Sequence, residues 1–200
     1  MSTDLAIFGG EPIRKEPFPV WPRITEEMKR SLIHTFEEEE WGVGSKTIAL
    51  FNQQFAAMQD AKYCLSIHSG TSAIWICLKA AGIEAGDEVI LPSYTFIATA
   101  TAVVLANAVP VFADIDKKTA NLDPTSVEKL ITKKTKAIIP VHTAGAPADM
   151  KAFLDISKKY SIPIIEDAAQ GHGSMIDSKK VGAIGLGGIF SFQTSKNMSS

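Results

Sequence analysis

A lysine just past an apolar run, and a carboxylate at the end of another, are the residues of this chain best placed to do chemistry. The lysine belongs to Gly188-Ile189-Phe190-Ser191-Phe192-Gln193-Thr194-Ser195-Lys196-Asn197. A strand of Ile189, Phe190 and Phe192 is expected to be stiff and buried, so the turn after it presents Ser191, Gln193 and Lys196 at the mouth of a sheet. Burial lowers a lysine's pKa, and the neutral amine can attack an aldehyde to form an imine. The bland alternative is a surface lysine in a polar turn.

The carboxylate is Asp167, which follows Ile164-Ile165-Glu166. At the end of an apolar strand it is costly unless it meets a cation, and a protonated pyridine nitrogen would serve; otherwise it caps the next turn. Gln170, three residues on, can aim an amide at the same place. Ser69-Gly70-Thr71-Ser72 leads into a helix. Gly70 permits close backbone approach, and the residues after it offer N–H groups and hydroxyls at a helix N-terminus, a geometry that binds phosphate and also serves ordinary N-capping. In Pro92-Ser93-Tyr94-Thr95-Phe96 an aromatic can stack on a flat heterocycle or join the core. His142, at a strand terminus, can contact a cofactor or hydrogen-bond the backbone. A phosphate cradle, a stacking aromatic, a carboxylate for a ring nitrogen and a lysine for an aldehyde are together the contacts that pyridoxal 5′-phosphate (PLP) requires.

Those residues must be delivered by the elements around them. From residue 63 the chain alternates strand and helix, which predicts an α/β fold with a mostly parallel sheet flanked by helices. Strands are expected at Tyr63–Ile67, Glu88–Leu91, Val109–Ala113, Lys136–Val141 and Ile162–Ile165. Helices are expected at Ser69–Ala81, Ser93–Leu105, Pro124–Ile131 and Met150–Tyr160, with a hairpin over Ser174–Ala183. Right-handed crossovers place the loops after the strands on one edge, where functional groups gather. Upstream, residues 1–24 form a Pro- and Gly-rich arm, and residues 25–200 the cofactor-binding domain. Thr25 caps a helix with Met28, Leu32 and Phe36 on one face, Glu37–Glu40 read as its solvated acidic end, and Ser45 caps a second helix with Ile48, Phe51, Phe55 and Met58.

Composition narrows the partners. The 200 residues are 46% hydrophobic, and 20 Lys and Arg against 22 Asp and Glu leave a net charge of −2, which gives no general attraction to nucleic acid or anionic membrane. No run approaches the roughly 20 apolar residues of a membrane span, and no secretory signal is visible, so a cytoplasmic protein acting on a small molecule is expected. Cys64 and Cys77 match neither a redox pair nor a metal-ligand set and read as core thiols, so no metal is expected.

Ser69-Gly70-Thr71-Ser72-Ala73, Pro92-Ser93-Tyr94-Thr95-Phe96-Ile97-Ala98-Thr99, Glu166-Asp167-Ala168-Ala169-Gln170-Gly171-His172-Gly173 and Ser191-Phe192-Gln193-Thr194-Ser195-Lys196-Asn197 resemble, in order and spacing, the DegT/DnrJ/EryC1/StrS aminotransferases. The opening Leu5–Arg14 and Phe18–Pro22 look like the StrS-type branch acting on keto-cyclitols and keto-sugars. The resemblance implies a fold-type I PLP enzyme with a seven-stranded sheet, working as a homodimer that transaminates a keto-cyclitol or nucleotide-linked keto-sugar with glutamate or glutamine as donor. It implies that Lys196 carries the cofactor as an imine, that Asp167 partners the pyridine nitrogen, that Gln170 contacts the ring hydroxyl and that Phe96 stacks on the ring. Gly70, Thr71, Ser191 and Gln193 would hold the phosphate, with Ser72 and His142 beside the cofactor, and the Trp41–Gly44 turn would approach the neighbouring subunit's site. Asp60 stands where the family usually has Gly, and Asn52 where an acidic residue is common. Family members continue past the lysine into a small C-terminal domain, so this chain is expected to be cut short, with that domain absent. Dehydratase members place a histidine at the lysine position, and Lys196 argues against that branch. A shortened chain serving only as a binding or interaction module is the alternative. A nucleotide-binding reading of Gly182–Gly188 fails because those glycines lack GxGxxG spacing.

Overall fold

The computed structural model describes residues 5–39 and 41–199. Glu40, the last of the acidic run, lies outside them. The N-terminal segment contains one 3-10 turn at Ala6–Phe8, and then come helices α1 (Glu26–Glu37) and α2 (Lys46–Met58). Thr25 and Ser45 cap them as expected, accepting from the backbone N–H of Met28 and of Ile48. The apolar residues Met28, Leu32 and Phe36 of α1 stay exposed.

The remaining elements are α3 (Gly70–Ala80), β1 (Glu88–Pro92), α4 (Ala98–Leu105), β2 (Val109–Ala113), α5 (Pro124–Leu130), β3 (Thr135–Ile138), α6 (Met150–Tyr160), β4 (Ile165–Asp167), β5 (Met175–Ile176), β6 (Lys179–Lys180) and β7 (Gly187–Ile189). β2, β1 and β3 pair in parallel, as do β4 and β7. Parallel bridges Ile138↔Ile164 and Val141↔Asp167 join the two groups, giving the row β2-β1-β3-β4-β7. β5 and β6 form the antiparallel hairpin. Among the described residues the seven strands are therefore five in a parallel row and two in a hairpin.

Strand residues alternate between two cores, as a sheet covered on both faces requires. Val89, Leu91, Ile165 and Ile189 pack with Ile74 and Leu78 of α3 and Val103 of α4. Ile90, Ile138 and Ile164 pack with Val127 of α5 and Phe153 of α6.

Four expectations shift. Tyr63–Ile67 is not a strand: it joins no ladder among the described residues, and Tyr63 and Leu65 are exposed, so its apolar alternation has no neighbour to pair with. Residues 93–97 are a loop, because the Ser93 amide is committed to Ala113 O beside β2 and the helix starts only at Ala98. β4 lies later than Ile162–Ile165 and contains Asp167, whose N–H reaches Pro140 O while its C=O takes the His142 N–H. The last strand ends at Ile189, leaving Phe190 and Phe192 in an aromatic cluster with Phe51, Phe55 and His172.

The glycines of 182–188 are packing residues. A Cβ on Gly182, at φ +84°, would lie 2.5 Å from the Phe190 ring, and one on Gly185 2.6 Å from Ile164 O. Asp60 takes φ +54°, a left-handed conformation that Asp tolerates better than most residues. No helix among the described residues is long and apolar enough to cross a membrane.

Candidate active site

The β4–β7 pair builds the site's floor. Asp167 stands opposite Ile189, and Ala168 N donates to Ile189 O at 2.9 Å, so the carboxylate and the segment leading to Lys196 are locked in register. Asp167 is only 6% exposed. Its Oδ2 accepts from Thr99 Oγ1 at 2.8 Å and its Oδ1 from Ala169 N at 3.1 Å. Burial pushes this carboxyl above its ordinary value, against the opposing pull of those hydrogen bonds and of nearby His142 and Lys196. That is the expected state of a carboxylate placed for a cation.

Directly after β7, Ser191 meets the start of α3. A Cβ on Gly70 would lie 3.5 Å from Ser191 Cβ and 3.9 Å from its Oγ, so the glycine keeps open the space between a helix N-terminus and a hydroxyl. Ser69 caps α3 by accepting from Ser72 N at 3.1 Å, so the capping alternative is realised at the same turn that faces Ser191. The Ser72 hydroxyl is engaged by His68 Nε2 at 2.8 Å, and Thr71 follows Gly70 in the first turn.

Lys196 sits half-buried in a turn closed by its own N–H on Gln193 O at 2.8 Å. Its side chain borders a cavity of about 230 Å³ lined by Ala144, Gln170, Ser195 and Asn197. Gln170 is oriented there by Ala144 N, which donates to its Oε1 at 2.7 Å. The lysine's charge also reaches His172, whose pKa is pushed down first by burial and then by Lys196. Neither ring nitrogen of His172 finds a hydrogen-bond partner of good geometry. From the N-terminal segment, Trp21 Nε1 donates to Thr194 O at 3.1 Å, tying residues far upstream to the lysine turn.

Behind the floor, Glu166 points away from Asp167, as alternation along a strand dictates. It is fully buried and accepts from His142 Nε2 at 3.0 Å, Gly182 N at 2.8 Å, and Ile184 N and Gly185 N at 2.7 Å. Burial alone would raise its pKa; the bonds from His142, Gly185 and Gly182 outweigh that and hold the carboxyl below its usual range. His142 Nδ1 accepts from Ala148 N at 3.0 Å, which leaves the ring proton on Nε2, facing Glu166.

Gly70, Asp167, Gln170, Ser191 and Lys196 thus converge on the end of the β4–β7 pair. His142 is turned into the core with both nitrogens used. The Gln193 side chain is spent on its own turn, its Oε1 accepting from Ser195 N at 2.8 Å. Phe96 is exposed in the loop between β1 and α4 and makes no ring pair among the described residues. Thr99 and Glu166 went unassigned in the sequence. The signals available were the i, i+4 threonines of Thr95-Phe96-Ile97-Ala98-Thr99 and two adjacent acids in a buried strand, of which only one can face the site.

The model of the DegT/DnrJ/EryC1/StrS aminotransferase family matches residues 22–200. The chain is similar to the L-glutamine:2-deoxy-scyllo-inosose aminotransferase of Streptomyces kanamyceticus, 40% identical over 205 residues that cover 100% of this chain and 48% of that protein. An aminotransferase structure from Psychrobacter cryohalolentis superposes with a TM-score of 0.88 at 37% identity, over 92% of this chain and 47% of that one. The structure of 3-amino-5-hydroxybenzoic acid synthase does so at 0.89 and 37%, over 92% and 48%. The chain spans about half the length of the curated relatives it matches.

Proposed function

Because the chain belongs to the DegT/DnrJ/EryC1/StrS aminotransferase family and has the fold-type I large domain, we propose that the intact protein is a PLP-dependent aminotransferase. It moves an amino group from glutamine or glutamate to the ketone of a cyclitol or a nucleotide-linked sugar. The printed activity of the Streptomyces kanamyceticus relative supports glutamine as donor and a keto-cyclitol as acceptor. The observation that carries the reading is the register of β4 with β7, which holds a buried carboxylate beside the segment that leads to Lys196 and beside the Gly70–Ser191 opening.

The residues fit the cofactor. A carboxyl raised by burial has no directly bonded cation among the described residues, and a helix N-terminus with a hydroxyl opposite it suits a phosphate. When bound, PLP supplies an electron sink for the carbon that loses its amino group. Asp167 balances the charge of a protonated ring nitrogen. The backbone N–H groups of Gly70 and Thr71, with the Ser191 hydroxyl, hold the phosphate. Gln170, fixed at Oε1 by Ala144, keeps its Nε2 protons for the ring oxygen, and Phe96 covers the ring face. Lys196 Nζ, once free, takes the proton from the donor's α-carbon and later returns one to the acceptor's carbon. The exposed apolar residues of α1, with Trp41, suit a second copy of the chain, making a homodimer.

Replacing Lys196 with alanine in the intact protein should abolish the visible absorbance of lysine-bound cofactor and its fixation by borohydride. Persistence of that band in the variant would make the lysine assignment wrong. Turnover with glutamine and a panel of keto-cyclitols and keto-sugars then identifies the acceptor.

A further inference from the structure

Two threonines with no part in the proposed reaction lie one helical turn apart on the approach to Asp167. Thr99, in the first turn of α4, is 0% exposed, and Thr95 is half-buried in the loop before it. Thr99 Oγ1 donates to Asp167 Oδ2 at 2.8 Å, and the Oγ1 atoms of Thr95 and Thr99 are 2.9 Å apart. The direction of both protons follows from the carboxylate. An ionised Asp167 only accepts, so the Thr99 proton points at it and Thr95 is the donor to Thr99.

A threonine in a helix commonly turns its hydroxyl back to the carbonyl four residues earlier. Thr101 does so two positions on in α4, reaching Ile97 O at 3.0 Å, and Thr35 does so in α1, reaching Ser31 O at 2.9 Å. Thr99 instead crosses to β4, 68 residues away in the chain. Valine has the same shape and would fill this fully buried position without the hydroxyl. The residue that calls for a hydroxyl is Asp167.

We propose that Thr99 is a positioning residue for Asp167, the inner member of a two-hydroxyl relay from Thr95 that keeps the carboxylate ionised and leaves its remaining lone pairs for the cofactor's ring nitrogen. This rests on the reading of Asp167 as the partner of that nitrogen. Other groups around Asp167 are already committed. Glu166 faces the opposite side of β4, and His142 is bound to Glu166 and Ala148. α4 carries no charged residue. On α3, Lys79 is bonded to Ile83 O, and burial raises the pKa of the Cys77 thiol. His142 and, in the turn after β7, Lys196 are the charges that act on Asp167. The hydroxyls are thus an uncharged means of lowering the carboxyl's pKa.

The test is PLP affinity of the intact protein as a function of pH, for the parent and for Thr99→Val, Thr99→Ser, Thr95→Val and Asp167→Ala. A hydrogen bond to a charged group is worth enough that T99V should weaken PLP binding about tenfold at neutral pH. The acid limb of its affinity profile should move up by about one pH unit, because the carboxyl then protonates more readily. T99S should restore both, and T95V should move the limb the same way by less. A purely structural role would alter affinity without moving that limb. T99V with the parent's limb, in a protein where D167A abolishes it, overturns the relay; D167A with unchanged affinity and limb overturns the reading of Asp167 instead. Should T99V not fold, T95V decides, and a parent-like limb there overturns the relay.

Discussion

Replacing Glu166 with alanine should loosen the sheet edge that leads to the lysine. Glu166 is fully buried and takes four hydrogen bonds, one from His142 and three from the backbone of the loop before β7. Each bond to a charged group is worth roughly 1.5–3 kcal/mol net, but a simple sum ignores the hydration the carboxylate gives up on burial. Removing one partner from a buried, hydrogen-bonded pair costs roughly 3–5 kcal/mol, and alanine would leave all four donors facing a hole. A loss of about 4 kcal/mol corresponds to a Tm lower by about 8–16 °C for a unit of 150–250 residues. Glu166→Gln should fall between, because its amide keeps one acceptor oxygen but turns N–H groups toward other donors. Thermal melting of the intact protein, with limited proteolysis at residues 182–186, measures both effects. An E166A midpoint within about 2 °C of the parent, with that loop still protected, would refute the reasoning.

The same carboxyl sets a pH signature. Its folded pKa is depressed, so its stabilisation is present above the ordinary value of 4.5 and is lost as the pH falls through the folded value; in melts on the acid side of 4.5 the parent should lose stability more steeply than E166Q. Asp167 has the opposite sign. Its folded pKa is raised above 3.8, so its contribution is present below that pH and lost as the pH rises, and cofactor-free Asp167→Asn should melt higher than the parent at pH 7 while binding PLP poorly. Gly182→Ala should cost about 2–4 kcal/mol by thermal or denaturant unfolding, because its Cβ would lie 2.5 Å from the Phe190 ring at a φ of +84°.

Asp167 drew attention because it ends an apolar run, where a carboxylate demands a reason, and Lys196, in a polar turn past another such run, only through the company of the other loops. Gly70 was ambiguous in isolation, because Ser-Gly-Thr at a helix start also serves ordinary N-capping, and it gained meaning only beside the other loops. The helices announced themselves through caps, Thr25 and Ser45 among them, whose local chemistry needs no knowledge of the rest of the fold. What stayed hidden depends on partners distant in sequence. Tyr63–Ile67 reads as a strand until one asks what it pairs with. The task of Glu166 beside Asp167 stayed hidden, and only the neighbours of β4 assign it to the loop before β7. His142 left two options open, and the structure gives one of its nitrogens to the Ala148 amide and the other to Glu166. Thr99 would pass for an ordinary helical threonine without its bond across to β4.

The opening between Gly70 and Ser191 also orders events during synthesis. One wall leaves the ribosome with α3, the other only after β4, the hairpin and β7 have followed. A nascent chain halted before Phe190 already holds the helix end, Thr99 and Asp167, yet has neither the second wall nor an amine at the mouth. Under the proposed function, the phosphate site is therefore complete only once Ser191, beyond β7, has been made.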